Sequence, residues 1–371
     1  MPADERFVTR PFRDGDEEPI LELFARSFHA PRTRAHFDWK FRRDPFGNER
    51  ISLTFEATGN REQVTSFDSS TGHPSPVPRH LHERLVGHYA AYAVPFHDRG
   101  RELLAHQIGD TMTDPAVRHV GRGPTSVLGR TALHFYEHFC EGKIAFNYGF
   151  NVANIQRCSL KFLRSDRVEP VTYRVRGVGR TLCAPTGRGA QRAPIDSLRP
   201  LSRISRWTRG YQLELVTSAG AEFDELFARV APAYAFLVRR DAAYLRWRYL
   251  ERPDVRYTVV AIRKWRRLVG WMAFRIRDGR FSWGDALFDP RHEDAVEVML
   301  HHVTASYPIE EIEAWFPPRP AWFDWVLARL GFEVKPEPQD LSLMCVPWTM
   351  ADATAAMRER LYYTMGDSDL F

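Results

Sequence analysis

Arg118-His119-Val120-Gly121-Arg122-Gly123 is the stretch on which the fold turns, and it sits within Leu103 to Asn154. An apolar, β-like run (Leu103, Leu104, Ile108) leads through Gly109-Asp110-Thr111-Met112-Thr113 to a turn at Asp114-Pro115. Behind the glycines, the spacing of Val127, Leu128, Leu133 and Phe135 predicts a helix from Pro124 to about Cys140. A second short strand, Ile144 to Tyr148, follows. In such an order, backbone N–H groups can converge on an anion. Gly121 and Gly123 let the chain bend tightly and approach a phosphate, and the helix presents its positive end to the same place. Pro124 suits a first helical turn, where its missing N–H would be unpaired anyway. A Gly-x-Gly pair alone describes an ordinary strand-to-helix connection equally well.

The surrounding order narrows the reading. Asp114-Pro115 followed by Arg118, Gly121 and Gly123 resembles the pyrophosphate-binding motif Gln/Arg-x-x-Gly-x-Gly/Ala of the GNAT superfamily of acyl-CoA-dependent N-acyltransferases. A P-loop would need Gly-Lys-Ser/Thr closing the turn, and a Rossmann turn would need a third glycine. The start of the chain is similar to the GNAT pattern too. Phe7 to Phe12 reads as a strand through Arg10-Pro11, and Asp14-Gly15-Asp16-Glu17-Glu18 opens a helix with apolar Ile20, Leu21, Leu23, Phe24 and Phe28.

The resemblance implies a set of roles. Backbone groups of Met112 and Thr113 would pair with pantetheine in a gap between the fourth and fifth strands. N–H groups of His119, Val120, Gly121, Arg122 and Gly123 would hold the pyrophosphate, with Arg118 and Arg122 adding charge. Asn147 and Asn154 would belong to the same cofactor site. Asp110, near the end of the fourth strand, is the candidate base. The expected tyrosine after Asn154 is replaced by Lys161, so Tyr148 is the candidate acid. Each has a plainer alternative: Asp110 as a partner of the turn backbone, Tyr148 as core packing. A thiol with a pKa of about 8.5 also leaves tolerably without a dedicated acid.

The second half of the chain repeats the first. Trp39-Lys40-Phe41 and Pro45 return as Trp247-Arg248-Tyr249 and Pro253, and Val86-Gly87 returns as Val269-Gly270. Gly109-Asp110 through Asp114-Pro115 returns as Gly284-Asp285 through Asp289-Pro290. In the copy, Arg291-His292-Glu293-Asp294 replaces the glycine turn, so an acidic pair stands where phosphate oxygens would be. The fold class expected is α/β (α+β): two tandem GNAT-like domains, each a mixed, mostly antiparallel twisted sheet flanked by helices. The first covers 1–176 with an exposed loop over 58–84; a basic linker covers 177–210. A degenerate copy covers 211–346, ending in the GNAT-like Leu330-Gly331-Phe332, and a helix and loose tail cover 347–371. The linker keeps itself solvated by charge or touches a polyanionic substrate or membrane surface; deleting Gly179 to Pro194 and measuring the Michaelis constant tests this.

Composition bounds the partners. The 371 residues are 44% hydrophobic and 27% charged, which describes folded rather than disordered chain. A net charge of +5 fits an anionic ligand without arguing for nucleic acid. No apolar run suits a bilayer span or a signal peptide, and Cys140, Cys158, Cys183 and Cys345 have no metal-ligand spacing. His134 and His138 share a helix face without a third ligand. The expectation is therefore a cytoplasmic enzyme without a metal, with self-association as a homo-oligomer left open. It would transfer acetyl, or another acyl group, from acetyl-CoA or another acyl-CoA to a small amine or amino sugar. Trp39, Phe41, Phe46 and Tyr92 are candidates for the acceptor pocket, although the repetition of Trp39 and Phe41 favours a structural role. Two alternatives stand beside it: an aminoacyl or other acyl transferase of cell-envelope assembly, and a catalytically silent acyl-CoA-binding or scaffold protein.

Overall fold

The computed structural model describes residues 6–47, 49–58, 66–67, 74–75, 82–178 and 209–371. The expected 58–84 loop and 177–210 linker therefore lie largely outside the described residues. Strand β1 (Phe7–Pro11) leads into α1 (Glu17–Phe28). Asp16 does not cap α1 with its side chain; Arg10 clamps the carboxylate at 2.6 and 2.7 Å instead. α2 (Arg34–Phe37) runs into a π-helical turn, Asp38–Arg42, that buries Trp39, Lys40 and Phe41. β2 (Arg50–Thr58), β3 (His82–Asp98) and β4 (Arg101–Thr113) follow as an antiparallel meander. Leu85 to Phe96 is buried on both faces, as a central strand with helices on either side must be.

The helix expected from Pro124 begins later. Gly123–Thr125 is a single 3-10 turn, and α3 (Val127–Phe139) starts behind Ser126, whose hydroxyl accepts from the Gly129 N–H. β5 (Phe146–Asn151) runs parallel to β4, but only His106–Asn147 and Gln107–Tyr148 pair. Past those two pairs the strands separate. α4 (Ala153–Phe162) and β6 (Asp166–Pro170) complete this run.

The second half repeats the order. Behind β7 (Tyr173–Gly177), the last strand of the first half, come β8 (Tyr211–Leu215), α5 (Ala221–Tyr234) and β9 (Phe236–Val238). α6 (Ala242–Leu245) again runs into a π-helical turn, Arg246–Leu250. β10 (Thr258–Lys264), β11 (Arg267–Arg277) and β12 (Arg280–Phe288) form the second meander. α7 (Asp294–Ser306), β13 (Glu311–Trp315), α8 (Ala321–Arg329), β14 (Glu333–Lys335) and β15 (Ser342–Pro347) follow.

The sheets exchange strands. The first sheet runs β1-β2-β3-β4-β5-β15-β6, and the second β8-β10-β11-β12-β13-β7-β14. β15, from the second half, therefore lies between β5 and β6, while β7, from the first half, lies between β13 and β14. The boundary expected at 176 cuts β7, a strand that the second sheet holds. The boundary at 346 similarly cuts a strand of the first.

The tail is not loose. After α9 (Ala353–Arg360) and β16 (Leu361–Tyr362), the chain to Phe371 packs into the second half, with Tyr362, Tyr363 and Phe371 buried. At the pseudo-twofold axis, Trp39 and Trp247 stack at 5.3 Å, and each indole N–H donates to the other's backbone carbonyl, at 2.6 and 3.0 Å. Among the described residues, no helix is long and apolar enough to cross a membrane.

Candidate active site

The glycine loop is an exposed cradle. The Val120 N–H is used on the Val117 carbonyl and the Arg122 N–H on Thr125 Oγ1, whereas those of His119, Gly121 and Gly123 have no acceptor among the described residues. Gly121 has φ +73°, and a Cβ there would lie 2.4 Å from the Thr125 carbonyl oxygen. Gly129, not singled out from the sequence, is equally obligatory: a Cβ would lie 2.0 Å from the Gly123 carbonyl oxygen. It lets the loop rest on the first turn of α3. Arg118 donates from Nε to the Thr113 carbonyl at 3.1 Å, and Val120 packs beside Val117 and Val127. The Arg122 side chain is exposed.

A cleft lies between the separated ends of β4 and β5, lined by Ile108, Thr111, Asn147, Tyr148 and Gly149, with Leu128 from the first turn of α3 and Ile155 from α4. The Asp114 N–H donates to the Val86 carbonyl on β3 at 2.8 Å. Strand alternation then turns the Met112 backbone toward β3 and those of Thr111 and Thr113 away from it, with Thr111 at the cleft. Met112 itself is buried against α1 and β2. The Asn147 side chain meets Cys140 Sγ at 3.4 Å. Asn154 is the second residue of α4; its side chain is outside what is described. Lys161 is exposed on the same helix.

The second half shows what closes such a cleft. The Asp289 N–H donates to the Val269 carbonyl at 2.8 Å, as Asp114 does to Val86, so Ala286 and Phe288 correspond to Thr111 and Thr113. The Tyr362 hydroxyl donates to the Ala286 carbonyl at 2.9 Å, and the Tyr234 hydroxyl bonds both the N–H and the carbonyl of Phe288. Where the phosphate cradle would be, Asp294 opens α7 and accepts from the Tyr211 hydroxyl at 2.5 Å. The second copy is plugged by its own side chains.

Asp110 lies on a bulge of β4 at φ +53°, and Asp285 lies at the matching bulge of β12. Its carboxylate pairs with Arg32 and, at 3.1 Å, with Lys40. Burial pushes this carboxyl up, but Arg32 and Lys40 outweigh it and hold it well below the usual carboxylate range. Asp110 is thus an ion-paired anion, a poor proton acceptor, and Asp285 keeps the same partnership with Arg240 at 2.8 Å. The His88 imidazole donates from Nδ1 to the Asp110 carbonyl at 2.7 Å, fixing the bulge.

Tyr148 is buried among Phe96, Phe146 and Phe150. Burial raises its phenol well above 10, so it keeps its proton. Its hydroxyl is 3.4 Å from Gln107 Oε1, which also accepts from Tyr92. Tyr92 lines a separate cavity of about 310 Å³ between the two π-helical turns, with Arg32, His36, Lys40, Arg252 and Asp369. Sequence reasoning missed Arg32 and Asp369. Arg32 was detectable, since it repeats as Arg240 at the Trp39–Trp247 offset (240 − 32 = 208). No group of three or more His, Cys, Asp or Glu that could hold a metal ion occurs among the described residues.

No protein-family model and no curated protein matches the sequence. Solved structures do match in shape. A GCN5-related N-acetyltransferase from Anabaena variabilis ATCC 29413 aligns with a TM-score of 0.59 at 14% identity, covering 92% of this chain and 72% of that one. A probable N-acyltransferase from Enterococcus faecalis V583, described as a conserved protein of unknown function, gives 0.56 at 10%, covering 91% and 71%. Eis1 from Mycobacterium abscessus gives 0.54 at 15%, covering 94% and 76%. The chain has the GNAT fold: mixed, mostly antiparallel sheets flanked by helices.

Proposed function

We propose that this protein is an acyl-CoA-dependent N-acyltransferase whose first half carries the chemistry, with acetyl-CoA as donor and a primary amine of a small molecule as acceptor. The observation that carries this reading is the contrast between two copies of one cleft. In the second half tyrosine hydroxyls satisfy the Ala286 carbonyl and both backbone groups of Phe288, whereas in the first half Thr111 lines an open cleft, the Thr113 carbonyl takes only the Arg118 guanidinium, and the glycine cradle follows the same strand. An extended ligand with an amide-bearing arm and a diphosphate fits both features. In the proposed reaction, the amine nitrogen attacks the thioester carbonyl. A C–N bond forms, the C–S bond breaks, the amine's proton passes to solvent water and the CoA thiolate takes up one proton.

Tyr148, protonated at the inner end of the cleft, is the proposed donor of that proton. Asp110 is proposed as a positioning residue, because its charge is already spent on Arg32 and Lys40. Isothermal titration with acetyl-CoA and CoA tests the assignment: binding should be lost in Gly121→Asp and unchanged in Arg291→Ala. With a turned-over amine in hand, Tyr148→Phe should lower kcat about 100-fold or more with little change in acetyl-CoA affinity. The exposed Lys161 on α4 favours the silent binding protein as second reading. That reading predicts acetyl-CoA binding without thiol release on any amine.

A further inference from the structure

The internal duplication allows the cavity at Tyr92, one of the residues expected in the acceptor pocket, to be compared with a filled version of itself. Arg32 and Arg240 occupy equivalent positions, and each pairs with the aspartate of a strand bulge, Asp110 or Asp285. Arg240 is fully buried, and its guanidinium is saturated. Nε meets Asp285, Nη1 meets the Val238 carbonyl, and Nη2 meets the Asp367 carboxylate at 2.5 Å. Asp367 comes from the tail segment that also brings Tyr362, so one stretch of chain fills both the cleft and the arginine site of the second half.

In the first half, the tail passes without filling that place. Arg32 uses only Nη1, on Asp110; its other N–H groups have no partner among the described residues, and the residue lines the 310 Å³ cavity. The guanidinium is stacked 3.8 Å from the Phe24 ring centroid, which holds its plane fixed without using its donors. Lys40 lies beside Arg32, its Nζ on the same Asp110 oxygen, Oδ2, and on Asp369. The cavity's cations also act on His36, whose imidazole burial, followed by Arg32 and Lys40, pushes down to about 3.

We propose that the acceptor is a primary amine bearing a carboxylate, an amino-acid-like molecule, and that this carboxylate takes on Arg32 the place Asp367 takes on Arg240. The inference rests on the acyltransferase reading for its chemistry, but the binding site stands on its own geometry. A carboxylate on a planar guanidinium gains charge-assisted bonds that its amide cannot replace.

The test uses the full-length protein and matched ligands: the common amino acids, their amides, O-phosphoethanolamine, spermidine and kanamycin. Each is read by thermal shift alone, and by thiol release with acetyl-CoA. At least one amino acid should bind or turn over about tenfold or more better than its amide. Arg32→Gln should raise its KM, or Kd, about tenfold and bring acid and amide close to equality, with acetyl-CoA affinity unchanged. Arg32→Lys should recover part of the preference. The acid–amide comparison on the unaltered protein needs no variant to fold. The proposal is overturned if amides match acids, if O-phosphoethanolamine or the polyamines outrank every amino acid, if nothing in the panel acts, or if Arg32→Gln keeps the preference. Should acetyl-CoA fail to bind while an Arg32-dependent amino-acid shift persists, the acyl-CoA reading falls and the carboxylate site stands.

Discussion

His88 illustrates how a single buried side chain ties the site to pH. Its Nδ1–H holds the Asp110 carbonyl, and its Nε2 is buried without a partner among the described residues. Burial lowers its pKa to about 4. The folded state therefore refuses a proton that the unfolded chain accepts below about 6.5. Its contribution is present above that pH and is lost as pH falls toward 4, an effect of about 3 kcal/mol. Asp44, which burial pushes up to about 7, works in the opposite direction. Urea titrations between pH 7.5 and 4.5 should show His88→Asn less stable at the top of the range but with a shallower decline on acidification. A decline parallel to the unaltered protein's would remove His88 from the account. At this scale the glycines of the cradle were legible in sequence, because their spacing from Asp114-Pro115 is local. That the Met112 backbone faces β3 and the Thr111 backbone faces away from it was not, because the bulge at Asp110 resets the alternation on which period-two reasoning depends.

At the scale of elements, the repeated Trp-x-Tyr/Phe turn is the clearest message in the chain. Its offset of 208 was visible in sequence, and its reason is physical: two π-helical turns present Trp39 and Trp247 to one another across an axis. Burial and stacking make each indole costly to remove, about 3–5 kcal/mol for Trp→Ala by chemical denaturation. Because each loses the same stack, the double variant should cost less than the sum of the singles by about 0.5–1.5 kcal/mol. Strict additivity would mean that the two rings do not support each other. The same repetition explains why Phe41 proved a core residue, buried beside Phe37. What no local signal carried was which sheet would take Tyr173–Gly177 and Ser342–Pro347. Both are short strands, and their pairing is decided by partners far away in sequence.

At the scale of the molecule, the exchanged strands make the two sheets one folding unit. Residues 1–178 alone lack β15, which would leave facing edges on β5 and β6 where a strand belongs. This fragment should be insoluble or unfolded by circular dichroism, and the full chain should unfold in urea in a single transition by both tryptophan fluorescence and circular dichroism. Two separated transitions would contradict the interdependence. The broad duplication could be read from sequence, yet the tail's role could not. A helix followed by Leu361-Tyr362-Tyr363 reads as an appendage until its hydroxyls are seen on the strand of another element.

The crossed strands also impose an order on biosynthesis. While a ribosome is still working through the later portion, β5 and β6 have already emerged but stand apart, waiting for Ser342–Pro347. Such a nascent chain carries an unfilled hydrogen-bonding groove for about half of its translation, so chaperone dependence would be set by elongation time rather than by the stability of the finished protein.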